Sequence, residues 1–561
     1  MHDVERMASF SGTKKITQAT FDEVVKENMD EFEMDLQEAT ADAVKQFTSQ
    51  AVDLSDIDLS GGVGKQEVLD AIGKLLVADD EEIVRALTTL ASLCNEKHEL
   101  SKRNVILMRT EGGLNALHTI LRFAQNTEVL VKSMRLLESV SAQNIDNRDF
   151  FEPGGSKLLG DVLKPWVSKI DTDDSAMAVM VAGLTLARCV ARSENNKVML
   201  FRNGMDGIVV QILSASVAAC RSASSTTVDR WTEVTRAACN VMKGLSVADD
   251  FRKDMSCAHD NGKYFLASNN TVDSLMGLSQ DFRNRPTLAS AALSAARNLV
   301  TTEEAVQIMV MHGAMSLPLD ILGYPEASLP LVRSVLGFMR NLCADDVRKE
   351  KLVYDGSMAL MVAAMSEGRF ADDAALVEHG AACLAAMSLR SPSNSARIVE
   401  CGAIEVLVKC MRRHSDRVAF QRQGCLAIRN IAARCPELRA ILLDAGVEGV
   451  LRDAGKFRDS VDEAYAALRD LNCEVQFVKI TEDGRVEEAY EQFGGAKKLN
   501  FRAVYDDTDD IVERVQNEAR APFADEMENL KPFAANGART ADMSGHDHQH
   551  SHSHEGGCCD K

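Results

Sequence analysis

The residues richest in chemistry at close spacing lie at the end of the chain. His546, His548, His550, His552 and His554 alternate with small or polar residues, and Cys558 and Cys559 follow. Imidazole and thiolate are natural ligands of zinc, nickel and copper, so this segment should bind such ions. Gly545, Gly556 and Gly557 flank it. A flexible tail of that kind offers no neighbouring groups to fix a coordination geometry. Weak binding without consequence is one reading, and metal sensing or delivery is the other. The varied spacers argue against an artificial tag, and Asp560 spoils any prenylation signal at Cys558.

Other candidate chemistry fails on spacing. Gly61-Gly62-Val63-Gly64-Lys65-Gln66 hints at a phosphate loop. Leu59, however, stands where its first glycine is needed, and Gln66 replaces the hydroxyl that would hold magnesium. A linker turn is expected there. Asp506-Asp507-Thr508-Asp509-Asp510 lacks the Gly and Glu placement of a calcium loop and reads as a solvated acidic stretch. His98, His118, His259, His312, His379 and His414 are scattered, and no nucleophile or acid/base grouping forms around them. No enzyme is expected, and no cofactor is required.

A third set of residues points to recognition. Arg297-Asn298-Leu299, Arg340-Asn341-Leu342 and Arg429-Asn430-Ile431 recur in similar helical contexts. If Leu299, Leu342 and Ile431 face a core, the adjacent Asn cannot point the same way on a helix. An Asn amide carries both donor and acceptor and can match one peptide unit of an extended ligand. Helices pack about 8–10 Å apart, close to three residues of extended chain at ~3.3 Å each. Asn298, Asn341 and Asn430 could therefore hold a partner backbone at about every third residue. Arg297, Arg340 and Arg429 would add charge-assisted bonds to acidic side chains. The plainer alternative is that these Asn cap or bridge adjacent helices. Gly244, Cys189 and Met387-Ser388 occupy or flank the corresponding site and would interrupt the ladder.

The elements that position these residues follow from a repeat. His312-Gly313-Ala314, Asp355-Gly356-Ser357, Cys401-Gly402-Ala403 and Ala445-Gly446-Val447 recur at a period of roughly 44 residues, the signature of an all-α solenoid. In the cleanest unit a short helix, roughly 395–400, ends at Gly402, which can take the positive φ of a sharp turn. Ile404, Leu407, Val408 and Met411 then fall at helical spacing. After a polar break, Val418, Cys425, Ile428 and Ile431 mark a longer third helix. Three helices per unit favours armadillo over the two-helix alternative. Gly313 and Gly402 each precede their Asn by the offset that separates Asn270 from Asn298, which places Asn270 in a glycine slot. Gly112, Gly154 and Gly204 mark looser early copies, with an insertion around 222–227. About eight or nine repeats are expected.

These repeats resemble the armadillo family, whose members use the third-helix Asn to grip extended peptides. The nuclear-import branch pairs that Asn with a Trp four residues earlier. Here those positions are Ser294, Gly337 and Leu426, which argues against reading nuclear-localisation signals. The N-terminal run Ile16-Thr17-Gln18-Ala19-Thr20-Phe21-Asp22-Glu23-Val24-Val25-Lys26-Glu27-Asn28-Met29, with Glu31-Phe32-Glu33-Met34 beyond it, resembles the opening of the armadillo repeat-containing protein 6 family. That likeness extends over roughly residues 14–472 and implies an intracellular repeat protein. Thr20 and Glu23 read as a capping box, with Phe21, Val25, Asn28 or Met29, and Phe32 on one helix face. Asp35 and Glu38 repeat the device for a helix burying Val44 and Phe47. The segment is either a cap on the first repeat or a detachable arm.

Charge separates the chain into regions. The net charge is −21, but residues 1–60 and 473–561 each contribute −9, leaving the body almost neutral. An acidic protein repels phosphate backbones, which disfavours general nucleic-acid binding. No apolar run is long enough for a membrane span, and the first residues lack a signal peptide's apolar stretch. Fourteen cysteines without a pairing framework read as reduced core thiols. A cytoplasmic location is expected, with the nucleus as an alternative.

The expected architecture is an all-α, right-handed superhelical armadillo repeat solenoid over residues 61–472. A helical N-terminal cap, 1–60, precedes it. An acidic extension, 473–535, with a β-hairpin around Asp483-Gly484, and a His/Cys-rich flexible tail, 536–561, follow it. The expected function is a protein-interaction scaffold whose concave groove binds an extended partner segment, with metal handling by the tail as the alternative.

Overall fold

A computed structural model describes residues 14–32, 34–50, 52–54, 57, 65–151, 154–222, 225–366, 368–475, 478–480 and 486–488. The described residues all fall within one compact unit, Met1–Glu488. The glycine run 61–64, the acidic stretch 506–510 and all seven candidate metal ligands lie outside the described residues.

The unit around Gly402 shows why these sequences fold as they do. Ser391 caps the first helix, accepting from the Asn394 amide, and Pro392 occupies its first turn, where its missing N–H costs nothing. The helix Pro392–Glu400 ends at Cys401, and Gly402 turns the chain at φ +72° into Ala403–Arg413. A side chain at that left-handed angle would be strained. The third helix, Val418–Ala432, buries Phe420, Cys425, Ile428 and Ile431. Three helices per unit is the armadillo arrangement, and the fold is an all-α armadillo solenoid.

The third helices are Asp80–Leu93, Thr127–Gln143, Asp174–Val190, Ser225–Leu245, Pro286–Leu299, Leu329–Leu342, Ala374–Ser388, Val418–Ala432 and Val461–Asp470, and each packs on the next. They define nine units among the described residues, the first of which begins at its second helix, Lys65–Lys74. One continuous apolar core runs from Val68 to Leu471, built from Leu, Ala, Val and Met. Ala289, Ala292, Ala295 and Ala296 are wholly buried between neighbouring third helices, where small side chains allow close approach.

The expected turns hold at Gly112, Gly204, Gly313, Gly356, Gly402 and Gly446, and two others do not. Gly154 has φ −96°, an ordinary helical value. Asn270 lies in the first turn of Asn269–Asp281, and Ser268, in extended conformation, makes that turn without any left-handed residue. The expected insertion is absorbed by lengthening two helices, Met205–Ser222 and Ser225–Leu245.

A row of buried amides locks the units together. Asn104, Asn147, Asn261 and Asn394, all in first helices, donate Nδ2 to Leu93 O, Val140 O, Leu245 O and Met387 O at 2.7, 3.4, 2.8 and 3.0 Å. Each acceptor lies in the last turn of the preceding third helix, where carbonyls lack intrahelical partners. Arg348 substitutes in its own unit, donating Nε to Leu342 O at 3.1 Å.

The N-terminal segment has its own small core of Phe21, Val25, Ala39, Ala43, Phe47 and Ile57. Its first helix, Gln18–Phe32, starts one turn earlier than a Thr20 cap implies, because Thr17 Oγ1 accepts from the Thr20 amide at 3.2 Å. Asn28 rather than Met29 faces inward and donates to Ala39 O at 3.2 Å, while Phe32 is exposed. Asp35 caps Leu36–Ser49 through the Glu38 amide. Lys14–Lys15 pairs in parallel with Val52–Asp53, and Val478–Ile480 pairs antiparallel with Val486–Glu488. Among the described residues no single helix is long and apolar enough to cross a membrane.

Candidate partner-binding face

Leu299, Leu342 and Ile431 are buried, which turns the preceding Asn and Arg out of the core along the third-helix face. The three Asn are not equivalent. Asn341 Nδ2 donates to Arg297 O at 3.3 Å and Val300 O at 3.1 Å, and Asn430 Nδ2 donates to Ala385 O at 2.8 Å. Both amides bridge to the preceding third helix, and Cys189 makes a weaker version of the same contact to Glu138 O at 3.5 Å. Asn298 makes no side-chain hydrogen bond among the described residues, and it is half-buried. Bridging uses the Nδ2 donor, and the Oδ1 acceptors of Asn341 and Asn430 accept no hydrogen bond among the described residues.

The cations are more continuous than the amides. Where Cys189 and Gly244 interrupt the Asn ladder, the residues just before them are Arg188 and Lys243. Arg188, Lys243, Arg297 and Arg340 therefore occupy one position on four consecutive third helices. Their neighbours are arranged to let them lie along the face. A Cβ at Gly244 would meet Arg188 Cδ at 2.7 Å, and one at Gly337 would meet Arg297 Nη1 at 2.6 Å. Gly337, at the position where a nuclear-import adaptor has Trp, is thus the space through which Arg297 crosses the next helix.

Arg297 ends against His379, two helices away, with Nη1 3.4 Å from Nε2. A guanidinium can only donate, so the imidazole must be neutral and accept at Nε2. Burial, with Arg297, Arg340 and Arg333 around it, lowers the His379 pKa to about 4, against a weaker opposing effect of Asp373. The same physics acts on the cations. Burial, Arg188 and Arg297 lower the Lys243 pKa, and burial and Arg340 lower that of Arg297.

Sequence spacing singled out Arg297, Arg340 and Arg429 but not Arg188, Lys243 or His379. The first two carried a signal, a basic residue one place before each interruption of the Asn pattern. His379 carried none, because its approach to Arg297 depends on a glycine in the helix between them. The remaining described histidines do not gather into a site. His414 Nε2, for one, meets Ala371 O at 2.7 Å inside the fold. The described cysteines are free thiols, and burial pushes Cys239 and Cys343 up to about 12, far from a reactive thiolate. No cluster of three or more metal-ligating side chains occurs among the described residues.

Residues 13–60 match the family described as the Armadillo repeat-containing protein 6 N-terminal domain. The chain is similar to Armadillo repeat-containing protein 6 of Homo sapiens, 28% identical over 409 residues, covering 68% of this chain and 75% of that protein. The Drosophila melanogaster homolog is 27% identical over 402 residues, covering 69% and 80%. Among solved structures, an engineered protein matches with a TM-score of 0.45 at 17% identity, covering 73% of this chain and 100% of its own. A designed armadillo repeat protein matches with a TM-score of 0.38 at 19% identity, covering 46% and 100%. The chain is an armadillo-repeat protein that resembles the armadillo repeat-containing protein 6 family.

Proposed function

We propose that this protein is a non-enzymatic scaffold that holds an extended segment of a partner protein along its third-helix face. Asn298, Asn341 and Asn430 would meet the partner backbone, and Arg297, Arg340 and Arg429 its acidic side chains. The observation that carries the reading is the open polar chemistry at Asn298 and Arg340. These two half-buried or exposed groups make no side-chain hydrogen bond or ion pair among the described residues. Asn341 and Asn430 would contribute through their acceptors, since their donors already bridge helices.

The test is affinity capture with mass spectrometry, comparing wild type with Asn298→Ala/Arg340→Ala. Neither substitution removes a hydrogen bond within the fold, so helical content and melting should be unchanged. Partners present with wild type and lost from the variant support the reading. Identical partner sets contradict it. The same experiment on a chain lacking residues 541–561 addresses metal handling by His546, His548, His550, His552, His554, Cys558 and Cys559. The scaffold reading expects its partners to be retained.

A further inference from the structure

We propose that the stretch of third-helix face from Arg188 to Arg340 binds an extended acidic protein segment whose Asp or Glu side chains recur every third residue. This rests on the reading of that face as the partner-binding surface. It adds Arg188 and Lys243 to the site and fixes the chemistry and periodicity of what the site takes.

Three of the four cations of this run make none of the ion pairs that arginines elsewhere in the fold make. Other arginines pair across neighbouring units: Arg285 with Asp229 at 2.7 Å, Arg348 with Glu303 at 2.8 Å, Arg422 with Glu463 at 2.8 Å, and Arg333 with Asp373. Lys243, Arg297 and Arg340 make no such pair among the described residues. Arg188 has Asp249 at 3.5 Å, but Asp249 also serves the fully buried Lys197 at 3.1 Å. Arg188 Nη1 is itself buried with no hydrogen-bond partner. Like charges stacked on neighbouring helices repel. A bound carboxylate at each position relieves that repulsion.

The run also has ends. At the equivalent position the preceding third helix carries Glu138, and the following one carries Ala385. Four cations remain, on helices about 8–10 Å apart. A partner chain in the polyproline II conformation advances ~3.1 Å per residue with three residues per turn, so every third side chain returns to the same face at a matching interval. Asn298 and Asn341, each beside its cation, supply the amide that a peptide backbone needs and a phosphate chain does not. The protein's charge of −21 opposes a polyphosphate ligand as well.

The test uses the full chain and two labelled peptides of identical composition, with four glutamates among serine, threonine and glycine. In one the glutamates recur every third residue, and in the other they are contiguous. Fluorescence anisotropy at moderate salt should show the spaced peptide binding about tenfold more tightly. Lys243→Gln/Arg340→Gln should abolish that difference, whereas Arg397→Gln, on an exposed first-helix face, should preserve it. Equal affinities for the two peptides, or none for either, overturn the proposal. So does tighter binding of a single-stranded oligonucleotide of equal charge. Captured partners that still depend on Asn298 and Arg340 would in that event leave the scaffold reading standing, and their absence would end both.

Discussion

Arg297, Gly337 and His379 show how one missing side chain sets the chemistry of a surface. Gly337 opens a channel across a helix, Arg297 fills it, and His379 must stay neutral to receive the guanidinium. The folded pKa of about 4 lies below the ordinary value of 6.5. Between those values the unfolded chain binds a proton that the folded one refuses, so stability should fall as pH drops from 6.5 toward 4 and be unaffected above 6.5. The loss attributable to this group is on the order of 2–3 kcal/mol. An NMR titration of His379 should give a midpoint near 4. In Gly337→Ala the new methyl group pushes Arg297 aside, and the midpoint should rise by the part that Arg297 causes, leaving the larger part due to burial. An unchanged midpoint would show that Arg297 does not hold the imidazole neutral. None of this was legible in the sequence. Gly337 stands out there only as a position that lacks Trp.

At the scale of the helix, the same residue type does two different jobs. Asn394 is fully buried in a first helix and caps Met387 O at the end of the preceding third helix. Asn298 sits on the open face and caps nothing. Asn394→Ala should therefore cost about 1–2 kcal/mol in chemical denaturation, and Asn298→Ala should leave the midpoint unmoved. Equal effects would mean that the two Asn share a role. The distinction is partly written in the sequence. Asn104 and Asn394 each stand three residues after a Ser, at the N-terminal turn of a helix, while Asn298 follows an Arg near a helix end. What spacing alone could not supply was the partner: Asn341 and Asn430 obey the same pattern as Asn298, yet each reaches a carbonyl of the preceding helix. The repeat itself was legible because a left-handed turn selects glycine strongly. Asn270 misled because a Ser in extended conformation can turn the chain with no left-handed residue, so a matching offset need not mean a matching geometry.

For the whole molecule, stacking the nine described units aligns their third helices and thereby converts a local Arg-Asn pair into a surface. No single unit could bury its apolar face, and none alone would offer more than one cation. In sequence, acidic flanks of −9 each precede and follow a body that is nearly neutral overall and basic along this run. Long-range attraction should favour acidic partners and weaken as salt shortens the screening length. The central claim is that partners lie on the third-helix face rather than on the first-helix surface, where Met311 and Tyr354 are also exposed. Site-specific photo-crosslinking decides between them: the same photoreactive residue is placed at position 340 or at position 311, and partner adducts are scored by mass spectrometry. The account predicts adducts from position 340 and none from position 311. Adducts from 311 alone would contradict it and move the working surface to the opposite helices.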